Sequence, residues 1–311
     1  MRAHRQHVAA GAWFVQTIRP AAAGAVYASR WCRITALAID TFRLGGSSAR
    51  AAASSVPACN MGMRTTASAS SRTSRETPSC SAPNTTIDLA GDAPEYNSCG
   101  FKVKRQWKNS AGRNICWLLY DDDRGDIEGD KDGGSPDGGF QSEQTFDKLW
   151  KDALCTNVSA PLSVTLQRQS NGTYVFDSNV DPQYVSLGGF FPIDNQLFGN
   201  SPGTPVHNFH FTYVLKTRFV YRADGPQMLP FRSDDSLWVF IDGRNVIDLG
   251  GVHTALEQDV DLSRLGLANG QEYEIAIFYA ERHRPSASLK ITLPLLADVP
   301  PVVPTISAGF D

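Results

Sequence analysis

Hydrophobic and polar positions alternate along four stretches of the second half of the chain, the period-two pattern of a β-strand with one face sealed. In "NFHFTYVLKTRFVY" (208–221) the residues Phe209, Phe211 and Tyr213 share a face, and in "RSDDSLWVFIDG" (232–243) Leu237, Val239 and Ile241 do so. "EYEIAIFYAE" (272–281) aligns Tyr273, Ile275, Ile277 and Tyr279, and "ASLKITLPL" (287–295) aligns Leu289, Ile291 and Leu293. Asp242-Gly243 is a strong short hairpin signal, and Asn269-Gly270 marks a turn ahead of the third run. Trp238 and Phe240 fall on the opposite face of their strand, which predicts burial beneath a second layer or a helix. Helical spacing is found in "SEQTFDKLWKDAL" (142–154), where Phe146, Leu149, Trp150 and Leu154 line up. From residue 95 onward, short apolar runs separated by Gly, Pro, Asn and Asp clusters predict an all-β sandwich with one or two short helices.

The first part of the chain reads differently. Residues 1–80 contain two acidic residues, Asp40 and Glu76, among many Arg, Ala and Ser. Residues 1–50 suit a targeting segment or a misassigned start, although Arg30 and Arg33 break the apolar stretch at 21–39. Residues 51–90 form a Ser/Thr-rich stretch that cannot offset its ordering entropy and is expected to be a disordered linker. A Pro-rich tail at 297–311 follows the folded region, 95–296.

Composition narrows the function classes. With 41 % hydrophobic and 10 % aromatic residues in 311, the chain can build a substantial core. A formal net charge of -3 gives no general attraction to nucleic acid, and no run of eighteen uncharged apolar residues predicts a membrane span. The six cysteines form no C-x-x-C pair and no zinc spacing. Cys99, Cys116 and Cys155 leave open one disulfide with one thiol, or pairing with Cys32, Cys59 and Cys80. Glycosylation acceptors at Asn84, Asn157 and Asn171 point to a secretory route and an extracellular or cell-surface location.

Asp234 and Asp235 stand side by side where a loop is expected to enter the sheet. Adjacent carboxylates repel unless a positive group lies between them, and the plain alternative is a turn whose aspartates cap backbone amides. The acidic run "DDDRGDIEGDKDGGSPDGG" (121–139) reads as a solvated loop, since Lys131 stands where a helix-loop-helix calcium site needs Gly. Its Arg124-Gly125-Asp126 triplet spells an adhesion motif that chance readily produces. His207, His210, His253 and His283 raise the question of zinc, but residues 207 and 210 of one strand would face opposite ways, so hydrogen-bonded core or rim histidines are expected. Gly250-Gly251 reads as a tight bend bringing the chain close to the sheet. The catalytic signatures of hydrolase, metalloprotease and dinucleotide sites are missing from the sequence. Neighbouring carboxylates also do not predict the separation of about 5 to 10 Å that glycosidases use. No enzyme is expected.

Three segments together, "FFPIDNQLFG" with "HNFHFTY", "SDDSLWVFIDGRNVIDLGGVH" and "LGLANGQEYEIAIFYAERH", resemble the fibro-slime domain, one of the wider group of PA14-like β-sandwich modules. The resemblance covers roughly residues 95–296 and implies a jelly-roll-like sandwich. In sugar-binding PA14-like domains an aspartate pair joined by a cis peptide bond holds one Ca²⁺, to which sugar hydroxyls bind, and Asp234 and Asp235 match that pair. The ion needs six to eight oxygens, and the loop after the 272–281 strand offers Glu281, Ser286 and Ser288. The resemblance thus implies metal ligation by Asp234, Asp235 and Glu281, and ligand contacts by these with His283 and Ser286. Arg282, His283 and Arg284 stand where sugar-binding members carry further ligands, so direct neutralisation of the aspartates by a cation is the competing reading. The implied function is an extracellular, calcium-dependent, non-catalytic module that binds a glycan or polysaccharide in adhesion. The alternatives are a structural matrix component that contacts matrix or cell-surface proteins, and, last, a carbohydrate-active enzyme.

Overall fold

A computed structural model describes residues 7–14, 93–134, 136–150 and 160–294. The linker expected at 51–90, the tail at 297–311, Leu154, Cys155, the three early cysteines, Asn84 and Asn157 lie outside them, as does the expected targeting segment apart from His7–Phe14.

The described residues form fourteen strands and three short α-helices. In chain order these are β1 (His7–Phe14), α1 (Tyr96–Cys99), β2 (Lys102–Arg105), β3 (Trp107–Lys108), β4 (Asn114–Ile115), β5 (Asp130–Asp132), α2 (Glu143–Asp147), β6 (Pro161–Arg168), β7 (Tyr174–Asp177), α3 (Pro182–Leu187), β8 (Phe211–Val220), β9 (Met228–Asp234), β10 (Ser236–Ile241), β11 (Arg244–Leu249), β12 (Leu256–Asp261), β13 (Glu272–Glu281) and β14 (Ser288–Leu293). The main sheet is antiparallel in the order β11-β10-β13-β8-β1-β6-β7-β14-β9-β12. β1, where the sequence pattern predicts no strand, pairs with β6 and β8 and so joins the two halves.

The sheet is folded over a single core. Leu237, Val239 and Ile241 of β10 and Ile275, Ile277 and Tyr279 of β13 meet Phe231 of β9, Val260 of β12 and Leu289, Ile291 and Leu293 of β14. The β10, β13 and β14 residues are alternating sets the sequence predicts, and their meeting with β9 and β12 makes the sandwich. The opposite faces of β10 and β13 carry Trp238, Phe240, Phe278 and Ala280, which pack in a second cluster with Phe140, Phe146, Leu149 and Trp150. Trp150 and Trp238 meet edge to face at 5.9 Å, a favoured aromatic geometry. The second layer expected over Trp238 is therefore present.

The helix expected over 142–154 is shorter: α2 ends at Asp147, and its N-cap is Ser142, whose Oγ accepts from the Thr145 amide. Leu149 and Trp150 reach the same core from turn residues instead. The Asp242-Gly243 hairpin forms with both residues at positive φ, 49° and 74°, as a tight β-hairpin turn requires. A side chain at Gly250 would meet the Phe101 carbonyl at 2.3 Å, so the glycine pair is the close bend expected. The acidic run departs from a solvated loop: Asp126 is buried, and Asp130–Asp132 is a strand paired with β2. Alternating charge conceals these positions because each buried charge has its own partner. His207 and His210 precede β8, and His207 stacks on Phe191 at 3.9 Å with its Nδ1 2.6 Å from Asp194, a hydrogen-bonded rim histidine. Cys99 and Cys116 are both buried free thiols, and burial raises Cys99 to about 12.

Candidate functional site

Asp234 is the last residue of β9 and Ser236 the first of β10, so Asp235 sits where the chain crosses from one half of the sandwich to the other. This corrects the expectation of a loop at that point. The strand "MLPFRSD" carries a proline and a polar outer face, which blur its alternation, yet Leu229, Phe231 and Ser233 all point inward. The peptide bond between the two aspartates is cis, as the resemblance implies.

Two neighbouring strands complete the site. β13 runs beside β10 with Ser236 opposite Ala280, which brings Glu281, the next residue, level with Asp235. β14 runs beside β9 with Ser288 opposite Asp234. Asp234, Asp235 and Glu281 each place a carboxylate oxygen within 4.8 Å of the other two. All three are buried, with 7 %, 1 % and 1 % of their surface exposed, while Ser286 and His283 beside them are exposed and open the cluster to solvent.

The polar contacts are local and mostly neutral. Asp235 accepts from the His253 amide through Oδ1 at 3.0 Å and from the Arg282 amide through Oδ2 at 3.1 Å. Ser286 Oγ donates to Asp234 Oδ2 at 2.7 Å, and the His283 amide donates to Glu281 Oε1 at 3.1 Å. The Tyr279 hydroxyl lies 2.5 Å from the Asp234 carbonyl oxygen and 2.9 Å from Glu281 Oε2. A phenol has one proton for these two neighbours. The hydroxyl therefore donates to one of them at a time, and its bond to Glu281 Oε2 favours the ionised carboxylate against its burial. Burial, with the charge of Asp235 beside it, holds Glu281 well above the ordinary carboxylate range. Burial likewise raises Asp234 and pushes Asp235 up to about 7, against the pull of the His253 and Arg282 amides.

The charge of Arg282 acts on Asp235 as well, opposing its burial and the charge of Asp234. The guanidiniums of Arg282 and Arg284 also bind the loops beside the cluster. Arg282 donates to the Gly138 and Gly139 carbonyls and lies 3.7 Å over the Phe140 ring. Arg284 donates to the Ser201, Pro202 and Pro205 carbonyls and lies 4.7 Å over Phe209. The donor set fits a hard divalent cation: three carboxylate oxygens lie close enough to share one ion at Ca–O distances of about 2.4 Å.

Of the residues singled out in sequence, Asp234, Asp235, Glu281 and Ser286 are brought together. His283 contributes its amide, while its ring Nδ1 lies 2.6 Å from the Arg284 carbonyl. Ser288 lies opposite Asp234 with its buried hydroxyl unpartnered. Tyr279 is the residue that sequence reasoning assigned to the core alone. Its spacing of two from Glu281 on one strand face is the signal that places the phenol beside the carboxylate.

Fold and cluster together define a β-sandwich module with an acidic pocket at its sheet crossing. Residues 170–296 match the PA14 domain family, and this part of the chain is a PA14-like domain. PA14 is a carbohydrate-binding type of module. Protein psiI of Dictyostelium discoideum is 39 % identical over 170 residues, which cover 50 % of this chain and 22 % of psiI. Protein psiD of the same organism is 37 % identical over 156 residues, 48 % of this chain and 29 % of psiD. The chain thus spans less than a third of the length of these relatives. Among solved structures, a β-glucosidase from Kluyveromyces marxianus in complex with glucose aligns over 28 % of this chain and 11 % of that one, with 16 % identity and a TM-score of 0.21. A likeness that low carries no argument.

Proposed function

We infer that this chain contributes an extracellular, non-catalytic carbohydrate-binding module that works with Ca²⁺ held by Asp234, Asp235 and Glu281. One observation carries the reading. Three buried carboxylates converge, each with an oxygen within 4.8 Å of the other two, beside the exposed Ser286 and His283. Bound there, the ion would offer open coordination positions to vicinal hydroxyls of a sugar. The chain's own part is to hold the carboxylates in place. The His253, Arg282 and His283 amides and the Ser286 hydroxyl fix their oxygens, and Tyr279 braces Glu281 against the backbone of Asp234.

Calorimetric titration of the full chain with Ca²⁺, followed by a glycan panel with and without a chelator, tests the reading. Saturable calcium binding and glycan binding that the chelator abolishes are expected. A protein that calcium stabilises but to which no glycan binds would instead be a structural matrix component, and one that binds no calcium would overturn the reading.

A further inference from the structure

Arg282 and Arg284 follow β13 directly, and each ties its guanidinium to a different loop beside the carboxylates. The Arg282 amide holds Asp235, while its guanidinium ties down the Gly138 and Gly139 carbonyls and covers Phe140. The Gly138 carbonyl also accepts from the Val252 amide, and the next amide, that of His253, holds the other oxygen of Asp235. Residues 136–140 are therefore fastened to the Asp235 side of the pocket at two points. On the opposite side, Ser286 donates to Asp234, and two residues earlier Arg284 gathers three carbonyls of the 201–205 loop. That loop presents Pro202, Gly203, Thr204 and Val206 to solvent.

Both loops are rich in Gly and Pro and have no strand or helix of their own. A segment without a ladder takes its position from whatever accepts or donates to its backbone, and here an arginine is a principal partner of each. A planar guanidinium that bonds several carbonyls and also stacks on an aromatic ring fixes a loop more firmly than a lone ammonium does.

We propose that Arg282 and Arg284 are positioning residues that set which ligands the carboxylate pocket admits, by fixing residues 136–140 and 201–206 as the two walls of its mouth. The proposal rests on the binding function argued above. The Arg284 guanidinium bonds the loop carbonyls and stacks on Phe209, so its removal separates ion binding from ligand choice.

The test uses the full chain with Arg282→Lys, Arg282→Ala and Arg284→Ala, read by amide hydrogen exchange, calcium titration and the same glycan panel. Expected are a calcium affinity within about threefold of wild type for Arg284→Ala, faster exchange confined to 136–140 in the Arg282 variants and to 201–206 in Arg284→Ala, and an altered rank order of glycans. Arg282→Lys should fall between wild type and alanine. Unchanged loop exchange would overturn the proposal, as would released loops with the wild-type glycan order retained. If wild type binds calcium but no glycan, the binding function fails and the selectivity role falls with it. Exchange would still show whether the arginines fix the loops. Retained calcium affinity, or for a chain that binds no calcium an unchanged melting curve, shows that each variant is folded.

Discussion

Asp126 receives both terminal nitrogens of Arg264, at 2.6 and 3.0 Å, from a position 138 residues away in sequence. Both side chains are almost fully buried, the carboxylate also accepts from the Asp121 amide, and the guanidinium also donates to the Leu119 carbonyl. The third residue of the Arg-Gly-Asp triplet is thus the anchor of the acidic run on the sandwich and is not displayed for a receptor. Replacing one partner of a buried pair strands the other, so Asp126→Asn should destabilise the domain by about 3 kcal/mol. Arg264 holds the Asp126 carboxyl below its ordinary range. A depressed folded value gives stability that is present above the unfolded value of about 3.9 and lost as pH falls through the folded one. Urea unfolding from pH 5 to pH 2 should show this acid loss in wild type and not in Asp126→Asn.

The calcium reading makes Asp235 its most sensitive point, since this residue crosses between the sheets and both its oxygens are held by amides. Asp235→Ala should weaken calcium binding at least a hundredfold, about 3 kcal/mol, and abolish the calcium-dependent rise in Tm. Ser286→Ala removes a single hydrogen bond to Asp234, so its effect should be several-fold at most, about 1 kcal/mol. Calorimetric titration of the two variants side by side checks the order. Equal losses, or an Asp235→Ala protein that keeps its calcium response, would count against the site.

Sequence pattern alone reveals the strands around this pocket because Leu237, Val239 and Ile241 repeat with the same period as Ile275, Ile277 and Tyr279, and burial acts on that period directly. The aspartate pair stands out as charges at the mouth of an apolar run, while Glu281 enters through the resemblance. What pattern cannot carry is the partner of a buried charge. Asp126 with Arg264 and Arg284 with the 201–205 carbonyls join segments far apart in the chain, and each looks like an exposed polar residue until the backbone closes. β9 escapes notice because Pro230 interrupts it, and its turn into β10 depends on pairing with β12 and β14.

Acidity should act on the pocket with the opposite sign to its effect on Asp126. The Asp235 carboxyl titrates near 7 in the folded protein, and burial raises Asp234 and Glu281 as well. Between about pH 4 and pH 7 the folded state therefore keeps protons that the unfolded chain has released. Stability contributed by the protonated form is full below pH 4 and is lost as pH rises through 7, at up to about 1.4 kcal/mol per pH unit for each proton. Calcium ligands must be ionised, so affinity should rise over the same interval. Melting curves in chelator should fall from pH 5 to pH 8, and the gap between calcium and chelator should widen. A gap that is constant with pH would show that the carboxylates do not hold the ion.

Lys131 links the acidic segment to the sandwich at a second point, and its partner is the most buried carboxylate in the contact. Asp248 is fully buried, is bonded by Lys131 Nζ, and accepts from Trp117 Nε1 at 3.0 Å and from the Gly250 amide at 3.1 Å. Lys131 also donates to the Ser98 carbonyl and lies 4.8 Å over the Trp117 ring, so one ammonium ties β5 to α1 and β11. Burial raises Asp248, and the Lys131 charge is the first influence opposing it. Lys131→Met keeps the aliphatic stem but leaves Asp248 without a cation, which should cost about 3 kcal/mol. Asp248→Asn keeps the shape, can still accept from Trp117 or Gly250, and removes the demand for a counter-charge. Combining it with Lys131→Met should therefore cost less than the sum of the two single changes, with a coupling of about 1 to 3 kcal/mol. Urea unfolding of the two singles and the double completes the cycle. Strict additivity would mean that the two side chains act independently, and that β5 is held by its pairing with β2 instead.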